Sequence, residues 1–262
     1  MPELPESDTN RARVEAGALN RTIARVEPGN DVSHITLPDA AERQRLIGRQ
    51  FTQTRRHGKV IFAGSAEGPW MAVHLGMSGS LRPFDEGEAA PDHVKLLVSF
   101  EGARRLAFRC PRKLGWVRIV DDPDSFIEAQ GYGPDAMKID RADFAARIGG
   151  GRGALKAALM DQKKMAGVGN LWSDETLYQC DLMPDARIDR LPDDAMGRLH
   201  TAMRRILGKV LEVGADYDRL PKDWLIHRRR EGETCPRCGG TIARMKVGGR
   251  SAFHCPDHQA GA

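Results

Sequence analysis

The sequence predicts an α+β multidomain fold: a β-sandwich-like first half, a helical second half and a small cysteine-bearing hairpin at the end. Three observations carry this reading. Short β-prone segments with turn residues between them recur through the first half. Helical patterns replace them after Gly149-Gly150-Gly151-Arg152-Gly153, a run that reads as a flexible joint. Finally, Cys235-Pro236-Arg237-Cys238 and Cys255-Pro256-Asp257-His258 form two knuckles across residues 239–254.

In chain order, Met1-Pro2-Glu3-Leu4-Pro5-Glu6 reads as a poor helix start, because each proline fixes φ and removes a backbone donor. Ser7 or Asp8 then caps a helix running to about Asn20, whose apolar positions Val14, Ala18 and Leu19 give a modest stripe. Strands are expected over Thr22–Val26, Phe51–Thr54 and Val60–Ala63, and from Met71 into a Gly/Ser turn at 76–80. Val94–Phe100, Arg105–Phe108 and Trp116–Ile119 continue the pattern, with Glu101-Gly102 as a hairpin turn. Regular short strands of this kind argue for a sandwich or barrel. The composition shifts near 131–140. Helices follow at Ala154–Asp161, Leu171–Cys180, Asp193–Val213 and briefly near Trp224. Between the first two, the glycine-bearing turn Met165–Asn170 can present backbone N–H groups to a phosphate. Thr241–Arg244 and Ser251–His254 pair across Gly248-Gly249.

Composition narrows the class. There is no apolar run of transmembrane length and no signal-peptide pattern, so an intracellular, cytoplasmic protein with no membrane partner is expected. Net charge is +4, but the 40 Lys and Arg cluster at Arg55-Arg56, Arg104-Arg105, Arg112-Lys113, Lys163-Lys164 and Arg228-Arg229-Arg230. Clustering of this kind suits a polyanion. Five cysteines, three of them at the C-terminal end, are not a secreted disulfide framework. Cys235, Cys238, Cys255 and His258 instead fit one closed tetrahedral Cys3His zinc site, structural because no position is left for water. Cys180, His227 and His254 stay outside that ligand set.

The N-terminus carries the chemistry. Removal of Met1 would leave Pro2 as a secondary amine, whose pKa near about 7.7–8.0 keeps a useful fraction unprotonated at neutral pH. Such an amine attacks an aldehyde or an anomeric carbon to form an iminium. Glu3 and Glu6 stand beside it for proton transfer.

Six separated motifs complete the pattern: M-P-E-L-P-E at the start, R-R-H-G-K at 55–59, H-L-G-M-S-G-S-L-R at 74–82, P-R-K-L-G at 111–115, L-M-D-Q-K-K-M-A-G-V-G-N-L-W-S-D-E at 159–175 and G-R-S-A-F-H-C-P at 249–256. With these the chain resembles the formamidopyrimidine-DNA glycosylase/endonuclease VIII family of base-excision repair enzymes over nearly its whole length. The resemblance implies a β-sandwich with flanking helices at 1–131, a helix–two-turns–helix DNA-binding domain at 132–224 and a zinc finger at 225–262. It implies double-stranded DNA with a damaged base or abasic site as partner, and a monomer is expected. Pro2 would attack C1′ and expel the base, Glu3 would protonate the sugar ring oxygen and Glu6 would share the proton traffic. Lys59 would stand near the scissile phosphate. His74, Asn170 and Arg250 would grip phosphates around the flipped nucleotide, and Lys156 matches a lysine close to the lesion. Met77, Arg112 and Leu114 match the residues that fill the gap left in the stack.

Departures from the family pattern qualify the substrate. Ser7-Asp8 replaces Val-Glu, Cys110 replaces an acidic residue, Leu114 replaces a wedge phenylalanine and His258 replaces the fourth zinc cysteine. Gln259 is followed by Ala260-Gly261-Ala262 without the usual basic residue. The stretch from Gly214 to Cys235 leaves little room for a lesion-capping loop, and Arg228-Arg229 stands in place of Tyr-Gly. Poor selectivity for 8-oxoguanine is therefore expected. The alternative reading is a lesion- or structure-recognising DNA-binding protein without excision; retained Pro2, Glu3, Glu6 and Lys59 argue against it.

Overall fold

The computed structural model describes residues 2–259, so Met1 and residues 260–262, with the expectations placed on them, lie outside the described residues. The chain forms two compact units, Met1–Gly131 and Tyr132–Ala262.

The first unit opens with α1 (Leu4–Ala18), earlier than the prolines suggest. Pro5 sits in the first turn, where its missing N–H would have had no helical partner and its fixed φ suits the helix. Glu3 is the N-cap, and Glu6 Oε2 accepts the Glu3 N–H at 2.8 Å in a reciprocal capping box. The two carboxylates therefore build the helix start that the prolines argued against. The buried stripe Leu4, Ser7, Asn10, Val14, Gly17 and Ala18 recurs at helical spacing, with polar residues in apolar positions. Asn10 is satisfied on both sides: its Nδ2 donates to Glu6 O and its Oδ1 accepts Leu81 N–H, each at 2.8 Å.

Eight strands and two short helices follow: β1 (Ile23–Pro28), α2 (Ala40–Gln44), β2 (Gln53–His57), β3 (Val60–Gly64), β4 (Trp70–His74), β5 (Ser80–Asp85), β6 (Val94–Phe100), β7 (Arg104–Arg109), β8 (Trp116–Val120) and α3 (Pro123–Ala129). They make two antiparallel four-stranded sheets, β1-β6-β7-β5 and β2-β3-β4-β8. Residues of both sheets, among them Ile61, Met71, Val73, Leu96, Val98, Phe108 and Val117, fill one core. That is the expected sandwich. β3 is buried along its whole length: α1 packs against it, and Phe126 of α3 lies edge-on to Phe62 at 6.0 Å. Sequence alternation missed α2, α3 and β5; Pro83 inside β5 is tolerated because this strand is an edge of its sheet.

The second unit contains α4 (Arg141–Gly149), α5 (Leu155–Met160), α6 (Asn170–Gln179), α7 (Ala195–Glu212) and the hairpin β9 (Ala243–Val247)/β10 (Arg250–His254). The glycine run is not the joint between halves; it links α4 to α5 inside this unit. α7 is the amphipathic helix its periodicity predicts, burying Leu199, Met203, Ile206, Leu207 and Val210. α6 is different: every residue from Trp172 to Tyr178 is buried, including Asp174 and Glu175. Among the described residues no helix is long and apolar enough to cross a membrane.

Candidate nucleic-acid site and metal centre

In the first unit, the start of α1 is fastened to the β2–β3 turn. Glu3 is fully buried, Pro2 and Glu6 are half-buried, and the Ser7 hydroxyl donates to Lys59 O at 3.2 Å. Ser7, a departure from the family pattern, thus places the backbone of Lys59 beside the helix start that bears Pro2. Asp8, the neighbouring departure, bonds Arg11 Nε at 2.8 Å and Arg56 Nε at 3.3 Å. Burial opposes ionisation of Asp8, but the two guanidinium groups outweigh it and hold its carboxyl below the usual range. Arg56 Nη1 also donates to Gly58 O at 3.0 Å, which braces the turn that carries Lys59.

His74 ends β4, stacked on Trp116 with 5.7 Å between ring centres. Burial, with the Lys59 charge adding to it, lowers its pKa to about 4. The Gly76 N–H lies 3.2 Å from Nδ1, so Nδ1 accepts and the single ring proton sits on Nε2. His74 is thus a neutral donor, not a cation.

The turns 76–79 and 110–115 pack against each other. Gly76 has φ +63°, and a Cβ there would come within 2.4 Å of Gly115 N and the Leu114 carbonyl carbon. Cys110, fully buried, accepts the Gly115 N–H on Sγ at 3.4 Å. Its thiol therefore fixes the second turn from inside the core. Met77 is half-buried, Arg112 is exposed and Leu114 is 57 % exposed, a degree of exposure a core leucine does not have. The structure brings these three gap-filling candidates onto adjoining turns.

In the second unit, Lys156 is not presented to solvent. Its side chain is fully buried, ion-paired with Asp174, and donates to Asn170 O at 3.1 Å and Ser173 Oγ at 3.2 Å. Asp174 also accepts from Arg229 Nη2 at 2.7 Å and from Phe253 N–H at 3.2 Å, while Arg229 stacks over the Phe253 ring at 4.8 Å. One carboxylate thus joins α5, α6, the 224–230 segment and β10. Glu175 binds the N–H groups of Leu225 at 3.3 Å and Ile226 at 2.9 Å, and burial pushes its carboxyl up to about 7. Sequence reasoning assigned neither acid a role, and saw Arg229 only as part of a basic cluster and as a departure. The available signal was two adjacent acids flanked by Trp172, Leu177 and Tyr178 on a helix with no polar face.

Asn170 opens α6, and its Oδ1 is buried without a hydrogen bond. Arg250 is exposed at the hairpin tip, beside Gly248 and Gly249, both with positive φ.

The metal centre follows the spacing. The donor atoms of Cys235, Cys238, Cys255 and His258 all lie within 4.8 Å of one another, a set compatible with one structural zinc. His258 turns Nδ1 toward Cys235 Sγ at 3.5 Å, so Nδ1 is the metal-facing nitrogen; Nε2 faces Asp181 Oδ1 at 3.9 Å. Tyr178 OH lies 3.1 Å from Cys235 Sγ, and the Tyr178 ring meets His258 edge-on at 4.6 Å. The fully buried Gln259 closes the site, bonding Cys255 N–H and Leu182 O at 2.7 Å each.

A two-sheet unit with an acid-capped N-terminus, followed by a helical unit with a Cys3His hairpin, defines a class that comparison with known proteins identifies. The formamidopyrimidine-DNA glycosylase N-terminal domain matches residues 1–117, the H2TH domain of the same enzymes matches 131–220, and a zinc finger found in FPG and IleRS matches 232–257. Formamidopyrimidine-DNA glycosylase of Laribacter hongkongensis is 31% identical over 271 residues, 98% of each chain. That of Cereibacter sphaeroides strain ATCC 17029 is 32% identical over 281 residues, 98% of this chain and 99% of the relative. A solved structure of MutM in complex with carbocyclic 8-oxo-G containing DNA superimposes with a TM-score of 0.86 at 25% identity, covering 98% of this chain and 99% of that one. The chain belongs to the formamidopyrimidine-DNA glycosylase family.

Proposed function

We propose that this chain is a bifunctional DNA glycosylase and abasic-site lyase of base-excision repair, acting on double-stranded DNA through Pro2. The observation that carries the reading is the start of α1: Pro2 directly precedes a buried Glu3 locked to Glu6, with Lys59 tied alongside through Ser7. Once Met1 is removed, the Pro2 nitrogen attacks C1′ and the glycosidic bond breaks, its electron pair leaving with the base. Glu3 protonates the ring oxygen, so the sugar opens to an iminium on Pro2. Loss of a C2′ proton then expels the 3′ phosphate, and a second elimination expels the 5′ phosphate. Water releases the remaining sugar fragment from Pro2. Lys59 neutralises charge at the scissile phosphate. His74, Asn170 at the positive end of α6 and Arg250 hold neighbouring phosphates, while Met77, Arg112 and Leu114 occupy the gap in the stack.

The lesion is read less selectively than 8-oxoguanine recognition demands. The 214–235 segment is folded down, with Leu220, Trp224 and Leu225 buried and Glu175 holding its backbone, which supports the absence of a long capping loop.

The test is borohydride trapping on a duplex with one abasic site, comparing the wild type with a form that carries an extra residue ahead of Pro2. A covalent band lost on blocking is expected. Tight binding with no band from wild type would refute the proline chemistry.

A further inference from the structure

A groove of about 550 Å³ lies between α1 and the edge strand β5, and none of its lining residues is assigned to the lesion site or the metal centre. Four arginines line it, Arg13, Arg82, Arg104 and Arg109, with Gly17 and Ser80 among the remaining lining residues and no acidic side chain. The groove is built by close approach. A Cβ on Gly17 would come within 2.5 Å of Pro83 and 2.8 Å of Arg104 Nη2, so only glycine lets the helix sit this near the strand.

The arginines divide into two pairs. Arg104 is anchored, with Nε donating to Gly17 O at 2.9 Å and Nη1 3.1 Å from Asp85 Oδ1. Arg109 is anchored through Nε to Asp92 O at 2.8 Å. Arg13 and Arg82 are exposed, and among the described residues neither has an ion pair or a side-chain hydrogen bond. Asp85 offsets only Arg104; Arg13, Arg82 and Arg109 have no acidic partner among the described residues, so this concave floor keeps a net positive charge that an anion would relieve.

Position says which anion. Ser80 and Arg109 are direct cross-strand partners and so share a face, and Arg82 lies two residues further along it. Ser80 follows the turn carrying Met77, and Arg109 precedes the turn carrying Arg112 and Leu114. The basic track therefore starts at the turns assigned to the DNA stack and continues away from them along β5.

We propose that this groove binds the phosphodiester backbone of DNA outside the lesion site, with Arg13 and Arg82 as direct phosphate contacts and Arg104 and Arg109 as fixed charges behind them. The inference rests on the proposed function only in taking DNA as the polyanion; it does not require Pro2 chemistry. The occupant is a nucleic-acid backbone and not a small phosphate, because the track is open and continuous with the stack-filling turns.

The test compares duplexes of about 12 and about 40 base pairs with the same central abasic analogue, measuring affinity against salt. On the long duplex, Arg13→Ala/Arg82→Ala should reduce the slope of log K against log salt by about 1.8, two phosphate contacts' worth. On the short duplex both the slope and borohydride trapping should stay at wild-type values. Arg13→Lys/Arg82→Lys should restore the long-duplex slope, and the matched surface pair Arg21→Ala/Arg25→Ala should leave it unchanged. An unchanged slope for the first variant, an equal fall in the matched pair, or an equal fall on the short duplex would each overturn the proposal. Loss of trapping in wild type would sink the proline reading while the slopes still decide the groove.

Discussion

Replacing Asp174 with Ala tests the buried centre of the second unit. The carboxylate is fully buried and faces two cations, Lys156 with no exposure and Arg229 with 19 %. Arg229 can turn toward solvent when its partner goes. Lys156 cannot, and it must remain charged without a counterion or lose its proton. Leaving one member of a buried pair uncompensated costs about 3–5 kcal/mol. The Phe253 N–H loses its acceptor as well, so we expect a value of about 4 kcal/mol, set mainly by Lys156. Against a domain stability of about 5–15 kcal/mol, that removes a large share. Arg229→Ala should cost less, about 1–2 kcal/mol, because Asp174 keeps Lys156. Urea titration followed by far-ultraviolet circular dichroism and tryptophan fluorescence gives both numbers, Trp172 and Trp224 being buried in this unit. The double change Lys156→Met/Asp174→Leu, which removes both buried charges at similar volume, should recover most of the loss. An Asp174→Ala cost below about 1 kcal/mol, or no recovery in the double variant, would refute the reasoning.

Two further outcomes follow from the geometry. His74 has a folded pKa of about 4 against 6.5 unperturbed, so between those values the unfolded chain binds a proton that the folded chain does not. Its contribution is therefore complete above pH 6.5 and is lost as pH falls toward 4, about 2.5 kcal/mol by about pH 4.5. His74→Gln should flatten that acid limb in urea titrations; parallel wild-type and variant profiles would exclude the neutral, buried histidine. Chelating zinc should unfold the hairpin Ala243–Val247/Arg250–His254, since metal affinity there is folding free energy, and leave the first unit's sandwich intact. Amide exchange reads both. Unchanged protection across the hairpin after one equivalent of zinc is released would show that the metal does not hold it.

Much of this fold was legible because its signals are local. Alternation and turn residues found most strands of the sandwich, period and length found α7, and cysteine spacing found the metal centre. The misreadings share a cause: the deciding partner is distant in sequence or plays against type. Proline looked hostile to a helix start, yet in the first turn, between glutamates at the N-cap and N3 positions, it suits one. The Gly149–Gly153 run resembled a joint, but tertiary packing places it inside one unit. Likewise, sequence order shows Lys156 as a cation and hides the Asp174 that pairs with it inside the unit.

That last case explains how this chain holds a short 214–235 segment in place. Consecutive acids on a fully buried helix turn grip it by two different means: Glu175 through the backbone of Leu225 and Ile226, Asp174 through the side chain of Arg229. Backbone capture is indifferent to sequence, so Glu175 constrains only where the segment passes. Side-chain capture is specific, so Asp174 selects a guanidinium at position 229. The same Asp174 oxygen accepts the Phe253 N–H of the strand that begins at Arg250. Arg229 therefore supplies the charge that lets one buried carboxylate tie the 214–235 segment to the hairpin strand, with Arg228 and Arg230 exposed on either side.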